Sequence, residues 1–87
     1  MAWTIEFERK ADKQLDKLNP GDAARIVKLL DEVALLDDPR DRGHSLTGEL
    51  GGLWRYRAGD WRVIVRFENQ RVVILVIEIG HRREVYR

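Results

Sequence analysis

Three apolar-rich runs stand almost back to back in the C-terminal half of this chain: LWRYRA at 53–58, WRVIVRFE at 61–68 and RVVILVIEI at 71–79. Only two residues separate each from the next. Connections that short belong to β-hairpins, so the spacing predicts an antiparallel meander of three strands. The third run is nearly continuous in Val, Ile and Leu, as expected of a central strand covered on both faces.

The first half supplies what this sheet must pack against. Trp3, Ile5 and Phe7 alternate with Thr4 and Glu6, the period of a strand over about residues 2–8. From Arg9 the period lengthens, and Ala11, Leu15 and Leu18 mark a short amphipathic helix that Asn19 ends. Asn19-Pro20 is also a helix start, with Asn as N-cap, Pro at the first helical position and Asp22 in the first turn. The second helix carries Ala23, Ile26, Val27, Leu30, Val33 and Ala34 on one stripe and closes near residue 36, before Asp37-Asp38-Pro39. Residues 37–52 (DDPRDRGHSLTGELGG) read as a loop, longer than the roughly 12 to 15 residues usual in compact domains; it is either the wall of a site or a plain crossover. The expected fold is α+β in the order β-α-α-β-β-β, one domain over 1–87, with a two-helix hairpin packed on one face of a small, mostly antiparallel sheet.

Composition narrows the chemistry. The 87 residues contain no Cys, which removes disulfides, thiolate nucleophiles and Cys-based zinc sites and suits a reducing cytoplasm. No run of about 18 apolar residues is present, and the alternating N-terminus lacks the layout of a signal peptide, so a cytoplasmic location is expected. Net charge is only +1, but its distribution is uneven. Residues 1–50 hold eight Lys/Arg against eleven Asp/Glu, whereas residues 51–87 hold eight Arg and no Lys against four acids, giving −3 and +4. An all-Arg basic half fits bidentate recognition of phosphate, although a solvated face gives the same composition.

Strand alternation assigns those arginines to a face. Trp54, Tyr56, Trp61, Val63, Val65 and Phe67 form the helix-packed side, opposite Arg55, Arg57, Arg62, Ile64 and Arg66. If Gly59-Asp60 is a two-residue turn, Ala58 pairs with Trp61 and Arg57 lands opposite Arg62. Like charges so placed cost up to about 1 kcal/mol unless an anion lies between them, so the pair invites a phosphate. The alternative is that both groups fan into water or pair with Glu68 or Asp60. The same face is expected to carry Ile64, Val73, Leu75, Ile77 and Ile79, too apolar to be left bare.

Other constellations are weaker. His44 and His81 lie far apart, and no metal-binding spacing of His or carboxylates appears, so no metal and no cofactor are expected. Arg9, Lys13 and Lys17 form a stripe on the first helix that reads chiefly as a solvated face. No phosphate-binding glycine loop is present.

The string LWRYRAGDWRVIVRF followed by VIEIGHRREVYR, together with Leu46-Thr47-Gly48, resembles the RelE branch of the RelE/ParE toxin superfamily over almost the whole chain. The resemblance implies a cytoplasmic toxin of a type II toxin–antitoxin pair. Such a toxin is bound by a cognate antitoxin protein and cleaves mRNA in the ribosomal A site by metal-independent attack of the 2′-hydroxyl. By position it implies catalytic roles for Arg57, Arg62, Arg82 and Tyr86, and RNA contacts from Arg55, His81 and Arg83. Relatives carry Lys where this chain has Arg55 and Arg57. A lysine can lose its proton to act as a base, whereas arginine, with a pKa above about 12, cannot. That leaves His44, His81 or no protein group as the base. The rival within the superfamily is a ParE-like DNA gyrase poison without nuclease activity, a branch that generally lacks the Arg and Tyr set. A bare RNA-binding module is the third reading.

Overall fold

The computed structural model describes residues 2–46 and 51–82. It contains β1 (Thr4–Phe7), α1 (Arg9–Asp16), α2 (Pro20–Ala34), a 3-10 turn (Pro39–Asp41), β2 (His44–Ser45), β3 (Trp54–Ala58), β4 (Trp61–Glu68) and β5 (Val73–His81). The five strands form one sheet in the order β1-β5-β4-β3-β2. All neighbours are antiparallel except β1, which runs parallel to β5. That parallel pairing is why the helices intervene. A chain leaving β1 must cross the sheet to return in the same direction, and α1 and α2 make the crossing.

The start of α2 follows its sequence. Asn19 Oδ1 accepts from the Asp22 backbone N–H at 2.9 Å, and Pro20 opens the helix. The helix buries Ile26, Leu29, Leu30, Val33 and Ala34. Val27, expected on that stripe, is 41% exposed. It lies about 100° round the helix from Ile26, at the margin of the contact, while Leu29 falls on the covered side. The core lies between α2 and the inner sheet face, centred on Tyr56, Val63, Val65, Ile74 and Val76.

Two features depart from the expected pattern. The loop 37–52 contains the 3-10 turn and β2, a fifth strand that polar His44 and Ser45 do not announce. The second departure is a bulge in the β4–β5 ladder. Ile64 opposes Glu78 while Val65 opposes Val76, so Ile77 is passed over and the alternation of β5 reverses. Ile79, expected on the arginine face, is therefore an inward core residue at 2% exposure, opposite Val63. Glu78 and Gly80 take its side of the sheet.

The apolar part of that face is not bare either. Arg71 bonds Glu68 at 2.6 Å and Glu6 at 2.7 Å. These acids are the partners of Val73 and Leu75 on the strands flanking β5, so the guanidinium bridges across it. Ile64 and Val73 are each only 3% exposed. Among the described residues no helix is long and apolar enough to cross a membrane.

Candidate active site

The arginines are placed by the β3–β4 hairpin. Gly59 has φ 62, and Asp60 is not among the positive-φ residues, the backbone pattern of a type II′ turn. The turn fixes Ala58 opposite Trp61 and Arg57 opposite Arg62. The next position across the sheet from Arg62 is Gly80, which adds no side chain to the row.

Two like charges facing one another are separated by how their side chains turn. Arg62 is only 8% exposed, and its Nη1 donates to the carbonyls of Gly59 at 3.2 Å and Trp61 at 3.3 Å. Arg57 is exposed and, among the described residues, makes no ion pair. Arg82 joins the same end of the sheet, its backbone N–H donating to the Asp60 carbonyl at 2.8 Å and its Nε lying 3.8 Å from Asp60 Oδ1. Arg62 and Arg82 thus converge on one tight turn. Glu68 is engaged by Arg71 and Asp60 by Arg82. Arg66 is at the opposite end of β4, 3.7 Å from Glu8.

The two histidines are separated by the sheet. His44 opposes Arg55, and Arg55 opposes Ile64, so the three form a row on the arginine face. His81 opposes Trp61 and stands edge-on to its ring, with centroids 5.6 Å apart and planes at 85°. Trp61 packs against the core, so alternation puts His81 on the face away from Arg57 and Arg62. Arg83 and Tyr86 lie outside the described residues.

His44 is held in place by three contacts of β3. Tyr56 Oη donates to the Pro39 carbonyl at 2.6 Å, and Trp54 Nε1 donates to the Arg42 carbonyl at 2.7 Å. Between them Gly43, at φ 81, passes so close to β3 that an added Cβ would meet the Arg55 carbonyl oxygen at 2.4 Å. A concavity of about 160 Å³ opens here beside Arg42, His44, Arg55 and Arg57. A second, of about 240 Å³, adds Arg25 and Lys28 from α2. Sequence reasoning passed over Arg25, Lys28 and Arg42. The i, i+3 spacing of Arg25 and Lys28 was a signal for one helix face, while nothing local marks Arg42. Among the described residues no group of three or more His, Asp or Glu could hold a metal ion.

The arrangement offers fixed cations to a phosphate and one imidazole on their side of the sheet. Known proteins resemble the chain along its length. The family model for the ParE toxin of type II toxin–antitoxin systems matches residues 5–86. Toxin RelG of Mycobacterium tuberculosis is 30% identical over 90 aligned positions, covering 100% of this chain and 99% of that protein. Among solved structures, the toxin–antitoxin complex RelBE2 of Mycobacterium tuberculosis superposes with a TM-score of 0.84 at 25% identity, covering 97% of this chain and 95% of that one. The free Escherichia coli toxin RelE mutant does so with a TM-score of 0.79 at 25% identity, covering 98% and 88%. The archaeal RelE–RelB complex of Pyrococcus horikoshii gives 0.73 at 25% identity, covering 98% and 100%. Matched along nearly its whole length in both sequence and fold, the chain belongs to the RelE/ParE superfamily of toxins of type II toxin–antitoxin systems.

Proposed function

We propose that this toxin is an endoribonuclease that cleaves messenger RNA in the ribosomal A site and is silenced by a cognate antitoxin protein. The observation that carries the reading is the gathering of Arg57, Arg62 and Arg82 at one end of one sheet face. Support also comes from the similarity to RelG and to RelE structures, two of which are toxin–antitoxin complexes. The chemistry is transesterification. The 2′-hydroxyl oxygen bonds to the adjacent phosphorus, its proton passes to a base, the P–O5′ bond breaks, and the leaving 5′-oxygen gains a proton. Charge building on the phosphate oxygens meets guanidinium groups fixed beforehand, a stabilisation commonly worth about 3 to 4 kcal/mol per key donor. Arg57 and Arg62 clamp the phosphate and Arg82 serves the leaving group. Tyr86 stacks on a base near the scissile bond, and Arg55 and Arg83 contact RNA. His44, on the arginine face, is the better placed of the two imidazoles to take the 2′-proton, and this reading gives His81 no contact with the phosphate.

The second reading, a DNA gyrase poison, is favoured by the match to the ParE family model. Inducing the chain in bacteria separates the two. Transcript ends within reading frames of translated but not untranslated messages support the ribonuclease, whereas gyrase-linked DNA breaks with intact messages support the poison.

A further inference from the structure

Gln14 is a polar residue on the covered side of α1. It stands three residues after the fully buried Ala11 and four before Leu18, which packs against the core. The side chain is half-buried, and its Oε1 accepts from the backbone N–H of Ile79 at 2.7 Å. That N–H lies where β5 runs out of strand partners. β1 pairs with β5 only from Val73 to Val76, and among the described residues no strand continues along that edge. Ala58 and Trp61 flank the two-residue turn and exchange bonds, so Arg62 bonds outward to Gly80, and the N–H of Ile79, one place along, turns away from β4 toward α1. Ile79 is only 2% exposed, so water does not replace the missing strand, and Gln14 supplies the acceptor.

The bond falls just past the bulge at Ile77, on the segment whose phase the bulge sets. In that phase Gly80 opposes Arg62, and Arg82 continues the ladder by donating its N–H to the Asp60 carbonyl at 2.8 Å. Alternation then puts Arg82 on the side of Arg62. A slip of one residue that removed the bulge would bring His81 opposite Asp60, set Glu78 against core Val63 and carry Arg82 past the turn. Lys10 also reaches this segment, 3.3 Å from Glu78, but that pair is exposed and holds little.

We propose that Gln14 is a positioning residue for Arg82: by accepting from Ile79 it holds the end of β5 in the phase that brings Arg82 to the turn beside Arg62. The inference rests on the ribonuclease reading, in which Arg82 serves the leaving group. Gln14 touches no substrate and acts only through the backbone of β5. Without its oxygen the Ile79 N–H is left buried and unpaired, and the strand past the bulge opens or slips to satisfy it.

The test compares Gln14→Met, which removes the acceptor at nearly constant length, with Gln14→Glu, which keeps one. Hydrogen exchange is read first, without RNA. In Gln14→Met the Ile79 and Arg82 amides are expected to exchange about tenfold faster or more, while the Thr4 amide, bonded to the Val72 carbonyl at the other end of β5, keeps its protection. Gln14→Glu restores both amides. Single-turnover cleavage on programmed ribosomes is expected to fall about fivefold or more in Gln14→Met, to recover in Gln14→Glu, and to fall no further when Gln14→Met is added to Arg82→Ala. Equal quickening at Thr4 and Arg82 would make Gln14 a general support of the fold and overturn the proposal. So would an Arg82 amide that stays protected while that of Ile79 quickens, or the same fall in cleavage with and without the Arg82 side chain. If the parent cleaves no RNA yet Gln14→Met releases the Ile79 and Arg82 amides and not Thr4, the positioning of Arg82 stands and the ribonuclease reading alone falls.

Discussion

The hydroxyl of Tyr56 donates to the carbonyl oxygen of Pro39 at 2.6 Å from a side chain only 1% exposed. This one bond ties the segment after α2 to the middle of β3. With the Trp54 bond to Arg42, it sets the path by which His44 arrives opposite Arg55. A core aromatic thus positions a polar residue on the other face of the sheet.

Replacing Tyr56 with Phe keeps the packed ring but leaves the Pro39 carbonyl without its donor, a loss of about 1 to 3 kcal/mol for a buried group. The melting temperature should fall by several degrees. Amide exchange at Leu46, which donates to the Leu53 carbonyl, and at Arg55 should quicken if the bond holds β2 in register. A Tyr56→Phe chain with unchanged exchange would show that Trp54 and Gly43 suffice.

Burial pushes the Tyr56 hydroxyl well above its ordinary value, with the charges of Arg40 and Arg42 opposing the shift. The folded state therefore holds this proton more tightly than the unfolded chain, whose tyrosines titrate near about 10. The resulting stability is fully present below that value and is lost as pH rises above it toward the folded value. Denaturant midpoints measured through the alkaline range should decline more steeply for the parent than for Tyr56→Phe.

Gly43→Ala tests the close approach directly. The new Cβ would sit 2.4 Å from the Arg55 carbonyl at a positive φ of 81, so backbone must move. The cost should exceed the roughly 1 kcal/mol typical of a conformational mismatch alone. The β2–β3 pairing should open first, read as loss of the exchange protection that His44 gives Arg55.

The hairpin register was legible in the sequence because two independent signals coincide. Gly59-Asp60 suits only a tight turn, and any other register would drive arginines among Trp54, Tyr56 and Trp61. The start of α2 was legible from Asn19-Pro20 for a similar reason, since local chemistry decides it. Ile79 was misplaced because a bulge has no composition signal where apolar residues fill both faces, as in residues 72–77. β2 was missed because two polar residues pair only through the contacts that Gly43, Trp54 and Tyr56 make for them. Of the site, Arg57 and Arg62 could be paired from alternation. The separation of His44 from His81 needed the edge strand and the bulge, both tertiary facts.

That separation makes a kinetic prediction. If His44 takes the 2′-proton, His44→Gln slows ribosome-dependent cleavage by about 100- to 10,000-fold, as expected for loss of a general base. His81→Gln, which removes a ring from the Trp61 side, should leave the rate of cleavage unchanged. Equal rates for the two variants would remove His44 from the mechanism and leave proton transfer to the substrate and ribosome.

The arginines should divide by burial. Arg57 is exposed and outside the core, so Arg57→Ala should cut single-turnover cleavage on programmed ribosomes at least about tenfold with the melting temperature unchanged. Arg62 is 8% exposed, and its guanidinium satisfies two carbonyls of the turn. Arg62→Ala should therefore lose both activity and about 1 kcal/mol or more of stability. Lysine at that position restores charge but not the planar guanidinium that matches phosphate oxygens, so Arg62→Lys should recover little activity. Arg82→Ala should lower cleavage without unfolding the chain, since alanine keeps the backbone bond to the turn and gives up only the exposed contact with the Asp60 carboxylate. Arg66→Ala is the control, at the far end of β4 beside Glu8, and should cleave like the parent. Cleavage by the Arg57, Arg62 and Arg82 variants at the parent's rate would show that the cationic end of the sheet is not where the phosphate reacts.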